Sequence, residues 1–287
     1  MAFNIATMSE YTQKSTEILR EGVLFNDNFS EFQLQTGISY KEYLNFLDAT
    51  PTLVAGTCGI VDGGNTVLTE REIEVIPMMS NSRFCFDTLY QLAVTEEDVA
   101  ASLTLDTVNK LSQSVEQTIW QGDALGNDGW LTQLHADAAL VSLGDATVLS
   151  ATNIDEKISD MIVALPDATY TRGILTLYVS YAVYNMYKSN RIGAVAANFA
   201  EAGFGVNQMW LFGYEGQITI KAVQGLVGVN DDMILTWSKN LVIGTDEIST
   251  VSTAKWVIDE VNDYAWLKAR FKLGTSYKYA GEAVSYK

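Results

Sequence analysis

The chain has 287 residues, of which 48% are hydrophobic and 11% aromatic, so it can bury a sizeable core and is not mainly disordered. Its net charge of −17 argues against a basic nucleic-acid-binding surface. No run of about eighteen apolar residues predicts a membrane span, and Met1 to Lys14 lack the pattern of a secretory signal, so we expect a cytoplasmic setting.

The N-terminal segment begins with a pattern typical of a short amphipathic helix. Thr7 and Glu10 have the spacing of a capping box, and Gly22 ends the pattern. The apolar side chains of this segment recur at helical spacing: Met8, Tyr11, Ile18 and Leu19. One such helix buries too little surface to form a core by itself.

A second capping box predicts another short helix. Ser39 and Glu42 would begin it, and Pro51 would end it. Its apolar face would consist of Tyr40, Tyr43, Leu44 and Leu47. We expect both helices to pack on a neighbouring subunit or on the inside of the long helix described below.

From residue 53 the pattern changes to strands. Leu53–Val61 leads into a turn over Asp62–Asn65, whose two glycines favour a hairpin, and the chain returns over Val67–Ile76. One face of the returning strand carries Thr69, Arg71, Ile73 and Val75. The period of two predicts a half-buried strand.

The opposite face of the returning strand carries three carboxylates, Glu70, Glu72 and Glu74, which we call the acidic row. Carboxylates at two-residue spacing form a straight row and do not converge on one cation. We therefore expect solvent-exposed or salt-bridging side chains, not a metal site.

The longest helical pattern begins at Thr95 and Asp98 and ends near Gly122. Its buried stripe is expected to consist of Leu105, Val108, Leu111, Val115 and Ile119. The glycine-rich loop over residues 122–129 lacks the acidic spacing of a calcium loop, and we expect a connector.

Helical and strand patterns then alternate, which is typical of a mixed α/β domain. A helix is predicted over Asn153–Pro166, followed by a buried strand over Ile174–Ser180 and a helix with tyrosines at 181, 184 and 187. Three further strands are predicted: Met209–Phe212, Ile218–Val223 and Met233–Trp237.

The last predicted strand, Tyr264–Leu273, alternates between an apolar and a polar face. Lys268, Arg270 and Lys272 lie on the polar face, and we call them the basic row. Both rows repeat every two residues, so we hypothesise that they pair between subunits, with pairing inside one subunit as the alternative. The candidate subunit interface consists of both rows with Arg71, and of Tyr11, Ile18 and Leu19 of the N-terminal segment.

The sequence has few residues of the types that act as nucleophiles or bind metal ions. Cys58 and Cys85 lie in strand-like sequence, and a reducing compartment would leave them as thiols. His135 is the only histidine, so it cannot build a metal site alone and has no evident nucleophile to serve. We predict no catalytic, cofactor-binding or metal site, and no enzyme activity.

The order of these parts resembles the major capsid protein of tailed bacteriophages, the Hong Kong 97 capsid fold. The shared order is an arm, a long hairpin, a long helix that ends in a Gly-Asp loop, a mixed α/β domain and a returning strand. Local similarities are found at Thr118–Asp123 with Gly129, Asn153–Pro166, Phe212–Ile218 and Asn240–Asp246.

The resemblance implies an α+β fold with five segments. These are an N-terminal arm (1–50), an extended β-hairpin loop (51–83), a peripheral domain with a long spine helix (84–140), an axial domain (141–245) and a return to the peripheral domain (246–287). Some family members cross-link through a lysine of the extended loop. Residues 51–80 contain no lysine, so we expect non-covalent assembly.

The resemblance also implies a function. The chain would be a shell subunit of the virion, assembled in the host cytoplasm into hexamers and pentamers that enclose double-stranded DNA without sequence-specific binding. Portal, scaffolding and decoration proteins would be its partners, with no membrane and no cofactor. The alternatives are an encapsulin-type nanocompartment and a soluble α/β ligand-binding protein.

Overall fold

The computed structural model describes residues 32–49, 66–85, 96–123, 126–144, 148–194, 208–229, 232–246, 253–259, 262 and 264–287. The strands are β1 (Gln33–Gln35), β2 (Lys41–Ala49), β3 (Thr66–Glu74), β4 (Ile76–Cys85), β5 (Val141–Leu143), β6 (Leu175–Val179), β7 (Gln208–Trp210), β8 (Ile218–Ala222), β9 (Met233–Trp237), β10 (Leu241–Gly244), β11 (Thr253–Asp259), β12 (Tyr264–Tyr277) and β13 (Val284–Tyr286). The helices are α1 (Glu96–Gln121), α2 (Trp130–Ala136), α3 (Ile154–Val163), α4 (Asp167–Tyr170) and α5 (Tyr181–Ala194). Short 3₁₀ turns lie at Gln224–Leu226, Ser238–Asn240 and Ala280–Glu282.

The first sheet is organised around β12, which pairs antiparallel with β4, β10 and β11, while β1 adds parallel to β10. Leu267 and Leu273 are buried on the face that the alternation predicts to be apolar. The prediction of a half-buried antiparallel terminal strand is therefore confirmed.

The extended hairpin is formed by β2 and β3, which pair from Lys41 opposite Glu74 to Ala49 opposite Thr66. The predicted helix over Ser39–Pro51 is therefore wrong. A capping box is a local signal, whereas the ladder with β3 pairs every residue from Lys41 to Ala49, and Leu44 joins Ile73 in a small core. The predicted strand Leu53–Val61 lies outside the described residues.

The second sheet has the order β5-β13-β9-β6-β8-β7. Five of its strands lie in the region expected to form the axial domain, 141–245, whereas β13 comes from the segment expected to return to the peripheral domain. Every residue of β6 and β8 is buried, because the two parallel strands occupy the interior of this sheet. Helices α3 and α5 bury apolar side chains in the same core. The predicted helix after Asn153, the helix with three tyrosines and the strands of this region are confirmed.

Helix α1 confirms the predicted long helix and ends one residue before Gly122. Its C-terminal end packs into an aromatic cluster in which the Trp120 and Trp130 rings are 5.0 Å apart and Phe32 lies 4.9 Å from Trp130. Tyr178 of β6 joins this cluster at 5.0 Å from Trp120. The cluster therefore connects α1, α2, the second sheet and the residue that precedes β1.

Candidate functional site

Arg71 attaches the hairpin to the body of the protein. Its guanidinium donates to the Tyr277 hydroxyl at 2.9 Å and to Asp137 at 2.6 Å, and it stacks over the Tyr277 ring at 4.5 Å. The Tyr277 hydroxyl in turn donates to Asp137 at 2.6 Å. Burial and this hydrogen bond to Asp137 raise the pKa of Tyr277. Arg71 thus makes its charged contacts within its own chain.

The acidic row lies on the solvent side of the same strand. Lys41 of β2 contacts Glu72 at 2.5 Å and Glu74 at 2.9 Å. The hydrogen bond from Lys41 lowers the pKa of Glu74, and the bond to Glu74 raises the pKa of Tyr40. Lys41, Glu72 and Glu74 are all exposed to solvent, which screens their charges, so these pairs add little to the stability of the fold. Tyr40 and Tyr43, both 59% exposed, add apolar surface there.

The basic row lies on β12. Lys272 contacts Asp246 at 2.6 Å and donates to the Ser39 carbonyl oxygen at 3.1 Å, while Lys268 lies over the Trp266 ring at 5.9 Å. Glu72 and Glu74 of the acidic row thus pair with Lys41, and Lys272 of the basic row pairs with Asp246. These ion pairs do not join the two rows to each other. Pairing of the rows between subunits stays a prediction, and Tyr11, Ile18 and Leu19 lie outside the described residues.

The second sheet joins α1 through the 3₁₀ turn at Gln224–Leu226. Glu116, only 4% exposed, accepts a hydrogen bond from the Gly225 amide at 3.3 Å. Gln121 donates to the Gly225 carbonyl oxygen at 2.7 Å and to the Val227 carbonyl oxygen at 3.0 Å. Trp120 covers the same turn so closely that a Cβ at Gly225 would lie 2.1 Å from its ring. We call these contacts the spine joint.

The buried carboxyl of the spine joint predicts a pH dependence of stability. Burial raises the pKa of Glu116, and the amides of Gly225 and Gln224 and the charge of Lys221 offset part of this effect. The folded chain therefore binds this proton more tightly than the unfolded chain, so its contribution to the free energy of unfolding falls as the pH rises through the two pKa values.

We expect Glu116→Gln to remove this loss of stability at higher pH, because the amide oxygen of glutamine still accepts a hydrogen bond from Gly225 and carries no charge. Relative to the wild type, the variant should gain stability as the pH rises above about 4.3, the ordinary pKa of a glutamate carboxyl, measured by urea unfolding at each pH. Asp106→Asn, at an exposed position of the same helix, is the control. A difference between Glu116→Gln and the wild type that does not change with pH would contradict this account.

The described residues contain no group of three side chains that could hold a metal ion. Among the helices that the structure describes, none is long and apolar enough to cross a membrane. Cys85 is a free thiol, and Cys58 lies outside the described residues. His135 is half-buried in α2, and burial lowers its pKa, against the opposing charge of Asp232.

No protein-family model matches the sequence, and no curated protein matches it significantly. Solved structures of capsid shells and of a virus-like particle do match it. A virus-like particle from Pyrococcus furiosus is matched with a TM-score of 0.56 and 12% identity over 97% of this chain and 100% of that one. The satellite phage P4 procapsid, a structure that includes the size determination protein Sid, gives 0.61 and 12% over 96% and 98%. The capsid of Myoviridae phage XM1 gives 0.57 and 13% over 92% and 91%.

These likenesses define the class of fold. The chain has the α+β fold of the major capsid proteins of tailed bacteriophages, the Hong Kong 97 capsid fold, and the predicted fold class is confirmed. Its hairpin, long helix and two sheets occur along the chain in the order that the resemblance to this fold led us to expect. At 10–13% identity the likeness establishes the fold, and what the matched assemblies do bears on this chain only as a proposal.

Proposed function

We propose that the chain is a structural shell subunit that self-assembles into an icosahedral phage head around double-stranded DNA. The observation that carries this proposal is the extent of the likeness, since 97% of the chain superposes on 100% of a particle-forming subunit. Such a subunit acts through its interfaces and needs no catalytic centre. Portal, scaffolding and decoration proteins would be its partners, and it would reside in the virion.

We also propose the functional division of the chain expected from its sequence, with arm 1–50, extended loop 51–83, peripheral domain 84–140, axial domain 141–245 and return 246–287, except that β2, within the expected arm, belongs to the extended loop because it pairs with β3. The attachment of Arg71 to Asp137 and Tyr277 supports a hairpin whose base is held to the body of the subunit.

Electron microscopy of the purified protein tests the function directly. We expect closed particles in negative stain, and a single monomer band after boiling in detergent because assembly is non-covalent. Nuclease-resistant DNA in particles from infected cells would support a phage head, whereas particles that recruit a protein cargo would support a nanocompartment. A monomer at all concentrations would contradict a shell function.

The arm should be needed for assembly. We expect a variant with Tyr11, Ile18 and Leu19 changed to serine to fold but to assemble poorly, because its apolar side chains lose about 1.5–3 kcal/mol of burial each. A matched variant with Thr12, Gln13 and Thr16 changed to serine should assemble normally. Particle yield is measured by sedimentation, and folding by circular dichroism. Equal yields from the two variants would show that the arm is not an assembly element.

A further inference from the structure

A groove with a volume of about 550 Å³ lies between α1 and β4. Met79 of β4, which is 59% exposed, forms part of its lining. Four further apolar side chains line it and are only half-buried: Met78 and Phe84 of β4 and Leu111 and Val115 of α1. Accessible apolar surface collected in one groove is typical of a site that another segment covers. We call it the α1–β4 groove.

The described part of the chain begins close to this groove. Phe32 is buried in the aromatic cluster, and its ring lies 6.4 Å from that of Trp120 at the C-terminal end of α1. Met78, Leu111 and Val115 of the groove pack against the same cluster. The chain that precedes Phe32 therefore joins the structure beside the groove.

The sequence before Phe32 contains a segment whose apolar face matches the groove in length. Its apolar residues lie outside the described ones, and their spacing predicts a single helical face about 100° wide: Met8, Tyr11, Ile18 and Leu19. At a rise of about 1.5 Å per residue, the helix 8–19 would be about 17 Å long. The α1 side of the groove extends from Asp106 to Thr118, which is about 18 Å by the same rise.

The connection is long enough for this segment to reach the groove of its own chain. Phe32 follows Leu19 by 13 positions. An extended chain covers about 3.3 Å per residue, so this connection spans up to about 43 Å, more than twice the length of the groove. A tether of this length also holds the segment at an effective concentration on the order of millimolar. The segment therefore competes well for the groove against any untethered partner.

We propose that the α1–β4 groove is the docking site of the N-terminal segment 8–19 of the same chain. The segment binds as an amphipathic helix, with Tyr11, Ile18 and Leu19 against the apolar lining, in the helix-in-groove mode of recognition. This contact narrows the expectation that the arm packs on α1 or on a neighbouring subunit, and it does not depend on the shell function. The walls of the groove belong to α1 and β4, so the fold persists without the segment.

Trypsin cleavage tests the docking, because the segment contains Lys14 and Arg20. Ser114 is exposed and lines the groove, so Ser114→Trp should fold normally and place an indole where the segment binds. We expect cleavage at Lys14 and Arg20 to become about tenfold faster or more, because its rate follows the population of undocked segment. Gln113→Trp, at an adjacent exposed position that does not line the groove, is the control. Equal cleavage rates in the two variants would overturn the proposal.

Hydrogen exchange of the groove gives a second readout. We expect the strand Met78–Phe84 to exchange faster when Tyr11, Ile18 and Leu19 are changed to serine, because the segment no longer covers it. Changing Thr12, Gln13 and Thr16 to serine should leave the exchange as in the wild type. Exchange that is the same in both variants would assign the groove to another occupant, such as a cargo peptide or a second copy, and would overturn the proposal.

Co-expression identifies the copy that supplies the segment. Copies with Ser114→Trp are produced together with copies in which Tyr11, Ile18 and Leu19 are changed to serine, and mass spectrometry separates their tryptic fragments 15–20. We expect the segment of the Ser114→Trp copies to be cleaved rapidly, because its own groove is blocked. Its protection by the open grooves of the other copies would overturn docking on the same chain. A wild type without particles would overturn the shell function, and cleavage of its segment would still test the groove.

Discussion

Trp130→Ala should lower the free energy of unfolding by about 3–5 kcal/mol, the cost of truncating a large aromatic side chain in a core. Trp130 is fully buried between Phe32 and Trp120. Its indole N–H donates to the Val242 carbonyl oxygen at 3.2 Å and to the Ser276 carbonyl oxygen at 2.9 Å. The variant therefore opens a cavity and removes a donor from two carbonyl groups of the first sheet.

Urea unfolding of the unassembled protein measures this effect. Trp210→Ala is the matched control, because the same atoms are removed from a short strand at the edge of the second sheet, where Trp210 is 37% exposed. We expect the control to lose much less stability. Similar losses for the two variants would show that the aromatic cluster does not hold the two sheets and α1 together.

Gly225→Ala should lower the free energy of unfolding by up to about 3 kcal/mol, the upper part of the range for overpacking. The added methyl would lie 2.1 Å from the Trp120 ring and 2.6 Å from the Glu116 carbonyl oxygen. The helix backbone cannot give way without breaking its hydrogen bonds, so the turn must move away from α1. That movement weakens the bonds from Gln121 and to Glu116 at once.

Gly144→Ala is the control, since a Cβ at Gly144 has open space and its backbone is not in the left-handed region. Unfolding in urea should separate the two variants clearly. Particle shape should separate them as well, because the spine joint sets the orientation of the second sheet on α1. Stability and particle shape unchanged by Gly225→Ala would show that the turn adjusts without cost.

The contrast between β2 and β12 shows what a local sequence pattern can and cannot predict. The alternation over Tyr264–Leu273 was sufficient to predict β12, because its period of two has one consistent apolar face. The segment Lys41–Ala49 carries a capping box and apolar residues at helical spacing, and it is nevertheless a strand. Its partner Thr66–Glu74 lies more than sixteen residues away in the sequence, and only that pairing decides its conformation.

The acidic row also shows what the sequence predicts and what depends on the fold. Glu70, Glu72 and Glu74 are visible as a row in the sequence, but their attachment to Lys41 depends on the register of the hairpin.

By itself the sequence determined the long helix, the buried strands of the second sheet and the half-buried terminal strand. Each of these depends on periodic burial within one continuous segment, which hydrophobic patterning records directly. The class of fold was predicted from the order of these elements, which resembles that of a known family. Tertiary structure alone decided the hairpin partner, the attachment of Arg71 to Asp137 and Tyr277, and the spine joint. These join residues that are far apart in the chain, and their energies arise from contacts that exist only after the sheets and α1 have packed together.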